Sequence, residues 1–247
     1  GFANSFDDAV LRTAQLAYDV KFPGKPLTFT WPSRGDPSLK AYADDEKQVP
    51  ASARDLADLL ARLSARGSDG ATAAARPPKV HLIVHSMGNK IVLQAVYLLV
   101  ERGTWQAHER RLGQIILAAP DVGAAEFNNL IGYLVGASDR VTYYYSKADM
   151  ALSVSQQSNQ YEPVGKYPYF EQGLDTINVD GAGTDFLGHG YYSSSIKVLT
   201  DFELLLTYGY APDKRVPPLG AQTRVYGHEH WSFLPLETRA VPTPRGK

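Results

Sequence analysis

The pattern of apolar and polar positions changes along the chain, and each change marks a predicted element. Ser5 is a typical helix N-cap, and the aspartates and periodic apolar residues after it predict a helix over residues 5–20. Residues 27–31 are rich in β-forming side chains and precede a proline, which predicts a strand. Residues 33–50 are polar and contain prolines, which predicts a loop, and regularly spaced leucines predict a second helix over residues 51–66.

From residue 79 onwards, short apolar runs alternate with helical patterns. The predicted strands lie at 79–85, 114–119, 141–146 and 174–179, and the predicted helices at 89–100, 150–159 and 191–208. The low-complexity stretch 67–78 is expected to be a surface link, and the proline-containing segment after residue 217 an ordered wrap. Alternation of this kind favours a mostly parallel sheet with helices on both faces. We therefore expect an α/β fold over 1–247, with a core of residues 1–210 and a tail of residues 211–247.

Composition narrows the possible functions without choosing one. The 247 residues include 25 Lys plus Arg and 26 Asp plus Glu, and this balance gives no electrostatic case for nucleic acid or an anionic membrane. The chain has no cysteine, which excludes disulfides, thiolate metal sites and cysteine nucleophiles. Its longest apolar stretches are shorter than the roughly 20 residues of a membrane span, and no signal peptide is visible. Compartment and oligomeric state stay open.

The strongest chemical signal is the run Val84-His85-Ser86-Met87-Gly88. A buried strand that runs into a serine, with a glycine two residues later and then a helix, is the layout of a nucleophile elbow. The helix that starts here would aim its N–H groups at an oxyanion, and the backbone N–H of Met87 is the first candidate. Val84 departs from the pattern, because the usual residue at that position is glycine. The alternative is a buried serine at an ordinary strand–helix turn.

A serine nucleophile needs a base, and the base needs an orienting carboxylate. In α/β enzymes of this kind the chain order is serine, acid, histidine, with the last two on loops after strands. Asp149 follows the predicted strand 141–146, and His189 lies between the strand 174–179 and the last helix. Asp121, after the strand 114–119, is an alternative acid, whereas three other aspartates fit the order less well: Asp175, Asp180 and Asp185.

The remaining histidines are weaker candidates for the base. His81 lies inside a predicted strand, where we expect it to pack in the core. His85 precedes the serine, and because neighbours along a strand face opposite ways, it is expected to hydrogen-bond beneath the elbow. His108 falls in a charged surface loop. His228 and His230 lie in the tail, where either could line the cleft, although no predicted strand positions them.

Several spaced motifs occur together in one order along residues 1 to 208. They are Asn4-Ser5-Phe6, Phe29-Thr30-Trp31-Pro32-Ser33-Arg34-Gly35, His85-Ser86-Met87-Gly88-Asn89, Ala118-Ala119-Pro120-Asp121, Tyr145-Ser146-Lys147-Ala148-Asp149-Met150-Ala151-Leu152 and Gly188-His189. In this combination the chain resembles a family of mostly bacterial α/β-hydrolase-fold proteins long catalogued as a domain of unknown function. The resemblance implies a triad of Ser86, Asp149 and His189. Family members with an assigned activity resemble carboxylesterases or lipases.

The same resemblance implies the second oxyanion donor. Gly1-Phe2-Ala3-Asn4 is similar to a Gly-aromatic-x-Asn loop of the family, so the backbone N–H of Phe2 is the candidate. In the family this loop follows a central strand, which is absent here and would lie between the strands predicted at 27–31 and 79–85. Its loss would leave backbone groups unpaired, at about 1–3 kcal/mol each when buried. We expect the chain to be a fragment with missing N-terminal strands; the alternative is that the neighbouring strands close up and displace the loop.

These observations favour hydrolysis of a small-molecule carboxylic ester through an acyl-enzyme, with no metal or cofactor. The aromatic segments 143–145, 161–170 and 191–192 are expected either to line a substrate pocket or to pack in the core. Two other functions stay open. One is a non-catalytic binding or scaffold protein on a hydrolase fold, and the other is an amidase or peptidase that uses the same triad.

Overall fold

Six strands form one sheet in the computed structural model, which describes residues 1–66, 79–159, 161–180, 182, 190–217, 219–225 and 227–233. They are β1 (Val80–His85), β2 (Leu112–Ala118), β3 (Ser138–Tyr145), β4 (Leu174–Asn178), β5 (Leu219–Val225) and β6 (His228–Phe233). Their order is β1-β2-β3-β4-β6-β5. All neighbours pair in parallel except β5 and β6, which form an antiparallel hairpin. The expected mostly parallel α/β sheet is confirmed.

Helices connect and cover the strands. Those in the described part of the chain are α1 (Phe6–Asp19), α2 (Leu39–Glu46), α3 (Val49–Arg66), α4 (Gly88–Glu101), α5 (Ala124–Ala137), α6 (Met150–Asn159), α7 (Tyr191–Ser194) and α8 (Ile196–Tyr208). A capping box starts α1: Ser5 Oγ accepts from the Asp8 N–H, and the Asp8 carboxylate accepts from the Ser5 N–H. None of the described helices is long and apolar enough to cross a membrane.

The sheet separates two apolar clusters, as the alternation of β2 shows. Ile115 and Leu117 pack in one cluster with residues of α3, α4 and α5. Ile116 and Ala118, which point the opposite way, pack in the other cluster with residues of α8. Successive side chains of a strand face opposite sides, so a strand that is apolar at every position must be covered on both faces. The prediction of helices on both faces is confirmed.

Most predicted elements are present, but several parts of the chain differ from the prediction. Residues 27–31 form no strand. Among the described residues, β1 pairs only with β2, so residues 27–31 make no ladder of hydrogen bonds with β1. A cavity of about 230 Å³, lined by residues of both segments, lies between β1 and residues 27–31. The predicted loop 33–50 contains α2, and α5 was not predicted at all. The single helix expected over 191–208 is broken at Ser195, whose backbone is extended and whose hydroxyl donates to Ala182 O at 2.7 Å.

The segment after residue 210 adds strands to the sheet where a wrap was expected. β6 pairs with β4 through Ile177 and Trp231, and β5 forms the outer edge of the hairpin. The side chain of Arg215, just before this hairpin, is completely buried. The predicted surface link 67–78 and residues 234–247 lie outside the described residues. The organisation of the whole chain as one domain therefore stays a prediction.

Candidate active site

Ser86 lies on a turn and has a backbone conformation that serine rarely adopts. It joins β1 to α4 with φ at +53°, in the left-handed region that non-glycine residues rarely occupy. The turn is fixed from several sides: Ser86 N–H donates to Ala118 O at 3.0 Å, and Asn89 donates to Ser86 O from its backbone at 3.0 Å and its side chain at 2.8 Å. Met87 is the N-cap of α4. A strained backbone held this firmly is characteristic of functional turns.

Val84 fits this turn despite replacing the usual glycine. Its side chain is buried in the cluster shared by α3, α4 and α5. A Cβ at Gly88 would still lie 3.7 Å from Val84 Cγ1, which is an ordinary van der Waals distance. Because the valine points into the core below the turn, it does not crowd the serine above it.

The loop at the start of the chain lies against the elbow. A Cβ at Gly1 would come within 2.9 Å of His85 Nδ1 and 3.3 Å of Ser86 Cβ, so the approach requires glycine. Asn4 Nδ2 donates to Phe2 O at 2.8 Å, and the Phe2 ring meets the Tyr42 ring edge-on at 5.0 Å between centroids. The expected alternative, in which this loop is displaced from the serine, is not observed. The structure thus brings Phe2 close to the strand–helix turn.

Asp149 is completely buried just before α6. Its Oδ1 accepts from the Leu152 N–H at 2.9 Å, and its backbone N–H donates to Ser146 O at 3.4 Å. Burial, followed by the negative charge of Asp149, raises the pKa of Tyr191 well above its usual value. This carboxylate therefore lies near Tyr191, at the carboxyl end of β3.

Asp121, the alternative acid, is engaged differently. Its Oδ2 accepts from Tyr42 OH at 2.7 Å, and its Oδ1 accepts from Ser155 Oγ at 2.7 Å and Tyr161 OH at 3.3 Å. Its backbone N–H donates to Ser86 O at 3.3 Å. A triad carboxylate must offer an oxygen to the imidazole. Hydroxyl groups occupy both oxygens of Asp121.

His189 lies outside the described residues, but the residues that follow it are in place. Tyr191 OH accepts from the Ala119 N–H at 2.7 Å and donates to Tyr144 O at 3.1 Å. The Tyr192 ring stacks on His85 at 4.1 Å between centroids. The segment after His189 is therefore anchored among the elbow, the end of β2 and Asp149.

Three other histidines make hydrogen bonds or ring contacts: His81, His228 and His230. His81 Nδ1 accepts from the Gln114 N–H at 3.0 Å beside a bulge between β1 and β2, and burial lowers its pKa. His81 is half-buried and lines the cavity beside β1, so its expected packing in the core stays a prediction. The expectation that no strand positions His228 and His230 is wrong, since both lie on β6. His230 bonds to Tyr145 OH at 2.7 Å and Thr223 Oγ1 at 3.0 Å, and the exposed His228 stacks on Phe170 with 4.9 Å between ring centroids.

Two of the aromatic segments belong to the core. Tyr143, Tyr144, Tyr145 and Tyr191 are at most 1% exposed, and burial raises the pKa of each. Of the two uses expected for them, the structure supports packing. Sequence reasoning overlooked Tyr42 and Ser155, which bind Asp121, because neither lies in a motif that carries chemistry. In the described parts of the chain, no group of three or more histidine and acidic side chains is arranged to hold a metal ion.

Comparisons with known proteins identify the family of the chain. A search of curated proteins and a search of solved structures each gave no match. A family model described as "Alpha/beta hydrolase of unknown function (DUF900)" matches residues 1–207, which include Gly1, Ser86, Asp149 and His189. The match covers most of the chain, as the resemblance in the motifs predicted. The chain belongs to this family of α/β hydrolases of unknown function.

Proposed function

We propose that this protein is a serine hydrolase that cleaves carboxylic esters through an acyl-enzyme. The observation that carries the proposal is the left-handed backbone of Ser86 at +53°, on a turn between β1 and α4 that many hydrogen bonds hold. Membership of an α/β-hydrolase family supports hydrolysis in general. The acyl-enzyme step rests on the serine nucleophile, and comparison with an anilide substrate separates an ester from an amide.

In the proposed reaction, His189 takes the proton of Ser86 Oγ while that oxygen attacks the ester carbonyl. Asp149 holds the imidazolium, and the backbone N–H groups of Met87 and Phe2 receive the negative oxygen. When the tetrahedral intermediate collapses, His189 gives its proton to the departing alcohol. Water then repeats the sequence on the acyl-enzyme, releasing the acid and restoring Ser86. Each proton removed by His189 is returned to a leaving group, so the cycle needs no further reactant.

Exposed apolar side chains at the starts of several helices support an apolar substrate. Phe6, Leu39, Met150 and Ile196, which begin α1, α2, α6 and α8, are 66%, 60%, 54% and 77% exposed. Hydrogen bonds join these elements in two pairs: Tyr42 of α2 bonds Ser155 of α6, and Arg12 of α1 bonds Ser193 of α7, which precedes α8. α1 follows the loop that touches the elbow. On the basis of this exposed apolar surface we propose an ester with an apolar acyl or alcohol group.

The test compares wild type, Ser86→Ala and Ser64→Ala on p-nitrophenyl esters of increasing acyl length. We expect Ser86→Ala to lose at least about 10³-fold in kcat, because removing a triad member leaves only binding and oxyanion stabilisation. Ser64 lies on α3, and Ser64→Ala serves as the matched control. We expect its kcat to equal that of wild type. A fluorophosphonate probe should label wild type and Ser64→Ala and leave Ser86→Ala unlabelled.

Two results would contradict the proposal. Equal hydrolysis by wild type and Ser86→Ala would show that another group is the nucleophile. A folded wild-type protein with neither turnover nor labelling would favour the binding or scaffold function. The p-nitroanilide of the best acyl group then separates esterase from amidase, since faster hydrolysis of the anilide would replace the ester as the preferred substrate class.

A further inference from the structure

A buried cluster of hydroxyl groups around Asp121 lies beside the proposed oxyanion loop. Tyr42 OH, Ser155 Oγ and Tyr161 OH meet at Asp121, and Tyr42 OH also lies 3.1 Å from each of the other two oxygens. The ring of Tyr42 is the part that touches Phe2. We propose that Tyr42, anchored by Asp121, is a positioning residue that holds the backbone N–H of Phe2 at the oxyanion. This inference rests on the proposed function.

Asp121 is well suited to be a fixed reference point. It is 2% exposed, it follows β2, and its backbone N–H donates to Ser86 O. The anchor and the nucleophile are therefore joined through one hydrogen bond. Burial, and next the negative charge of Asp121, raise the pKa of Tyr42, so its hydroxyl keeps the proton that it donates. The bond from Tyr42 to a buried carboxylate is charge-assisted, which makes it stronger than a bond between neutral groups.

Charges on the neighbouring elements also hold the cluster in place. Lys90 Nζ of α4 lies 4.6 Å from the centre of the Tyr161 ring and forms an ion pair with Glu46 of α2. The helix that carries Tyr42 is thus tied to the helix that follows Ser86. Because α2 is bonded to α4, α6 and the end of β2, the Tyr42 ring has little freedom to move.

The loop itself depends on that ring. The Phe2 ring rests edge-on against Tyr42, with 64° between the planes, and the Phe2 carbonyl is held by Asn4. Ala3 has a positive φ of 55°, so the loop is strained and requires support from its contacts. Oxyanion donors act at about 2.7–3.1 Å, and a small displacement weakens them steeply. Among the described residues, Tyr42 provides the aromatic ring on which Phe2 packs.

The test uses Tyr42→Phe, which removes the bond to Asp121 and keeps the ring. We expect kcat on the best p-nitrophenyl ester to fall about tenfold, less than the 10²–10³-fold loss of a complete oxyanion donor, with KM within about twofold. Affinity for an alkyl boronic acid, which forms a tetrahedral adduct with Ser86, should fall in the same proportion. Amide hydrogen exchange in residues 1–5 should become faster.

Tyr169→Phe is the matched control, because it also removes a tyrosine hydroxyl bond, from Tyr169 OH to Asn128 at 2.9 Å, away from the elbow. It should leave kcat, boronate affinity and exchange in residues 1–5 unchanged. Asp121→Asn keeps an acceptor for Tyr42 but removes the charge, and its kcat should lie between those of wild type and Tyr42→Phe.

The outcomes separate this inference from the proposed function. A wild-type protein without Ser86-dependent turnover refutes the proposed function and this inference together. An active wild type whose Tyr42→Phe variant keeps kcat and boronate affinity refutes the inference alone. A loss of activity that matches a loss of folded protein, with unchanged boronate affinity per folded molecule, also refutes it, because Tyr42 would then only stabilise the fold.

Discussion

Replacement of Arg215 by methionine should strongly destabilise the protein, although the residue is far along the chain from the candidate site. Arg215 is fully buried, and its Nη1 donates to Asp201 Oδ2 at 3.0 Å and to Tyr144 OH at 3.1 Å. Its Nη2 lies 3.5 Å from Asp175. Methionine fills a similar volume but brings no charge. Asp201 is also fully buried. In the variant its negative charge loses the cation, and among the described residues Tyr144 OH still donates a hydrogen bond to it.

The loss of unfolding free energy depends on which carboxylate loses its positively charged partner. Asp175 still has Arg140 at 2.6 Å and is partly exposed, so little of the cost arises there. The cost arises at Asp201, because breaking a buried ion pair leaves an uncompensated charge, which typically costs about 3–5 kcal/mol. Arg140→Met is the matched control. It removes a partly exposed pair with Asp175 and should cost at most about 1 kcal/mol.

The pH dependence has a definite sign. Burial raises the pKa of Asp201 above its ordinary value, and the charge of Arg215 opposes that rise. Without Arg215 the folded-state pKa rises further above the unfolded-state value of about 3.9. A raised folded-state pKa favours folding at low pH and loses this advantage as pH rises through it. The deficit of Arg215→Met should therefore be largest near pH 8 and smaller at pH 5.

Urea unfolding at pH 5 and pH 8 measures both effects. We expect a large loss of unfolding free energy for Arg215→Met at pH 8, and recovery of at least half of it in Arg215→Met/Asp201→Asn, where the charge is gone. A single-variant deficit below about 1 kcal/mol at pH 8, or one that grows towards pH 5, would refute the reasoning.

Two further predictions concern the sheet and the loop next to the site. His81→Leu leaves the Gln114 N–H without its acceptor and should cost about 1–3 kcal/mol in urea unfolding. Since burial lowers the pKa of His81, its contribution is present above about pH 6.5 and lost as pH falls; a difference from wild type that stays constant from pH 8 to 5 would contradict this. Gly165→Ala should cost about 1–3 kcal/mol, because its Cβ would lie 2.7 Å from Pro120 N and 2.8 Å from Ala119 C. Calorimetry should show a lower Tm, whereas the control Gly132→Ala, whose Cβ meets nothing within 4 Å, should not lower it.

Periodicity predicted those elements whose pattern is decided locally. The apolar pattern of β1 is typical of a buried strand, and that of α4 is typical of a helix. The position of the turn at Ser86 between them follows from these two patterns. Residues 27–31 have an equally good strand pattern, yet they form none. A segment becomes a strand only when it pairs with a neighbouring strand. The residues of the segment alone do not determine whether such a neighbour is available.

Composition was also a poor guide where small residues carry the structure. The helix α5 begins with Gly123 and two alanines, and its helical signal lies in the spacing of Phe127, Ile131 and Leu134, which face the core. The polar residues of α2 predicted a loop, although Tyr42 and Asp45 are buried. Asp45 accepts from Ser33 Oγ at 2.8 Å and from the Arg34 N–H at 3.0 Å. These hydrogen bonds hold α2 against the segment that precedes it, an interaction that the polar pattern of residues 33–50 does not reveal.

The departure at Val84 changes meaning once the packing is known. A nucleophile elbow needs small residues wherever another segment approaches the serine, and in this protein that segment is the Gly1–Phe2 loop, which lies against His85 and Ser86. Val84 points to the opposite side, into the core, where a branched side chain adds apolar contacts. The steric constraint of the site thus falls on Gly1, and the valine stabilises the strand below. Since Phe2 is held by Tyr42 and Asn4, the quality of the proposed oxyanion site depends on how that loop is anchored, more than on the residue that precedes the elbow.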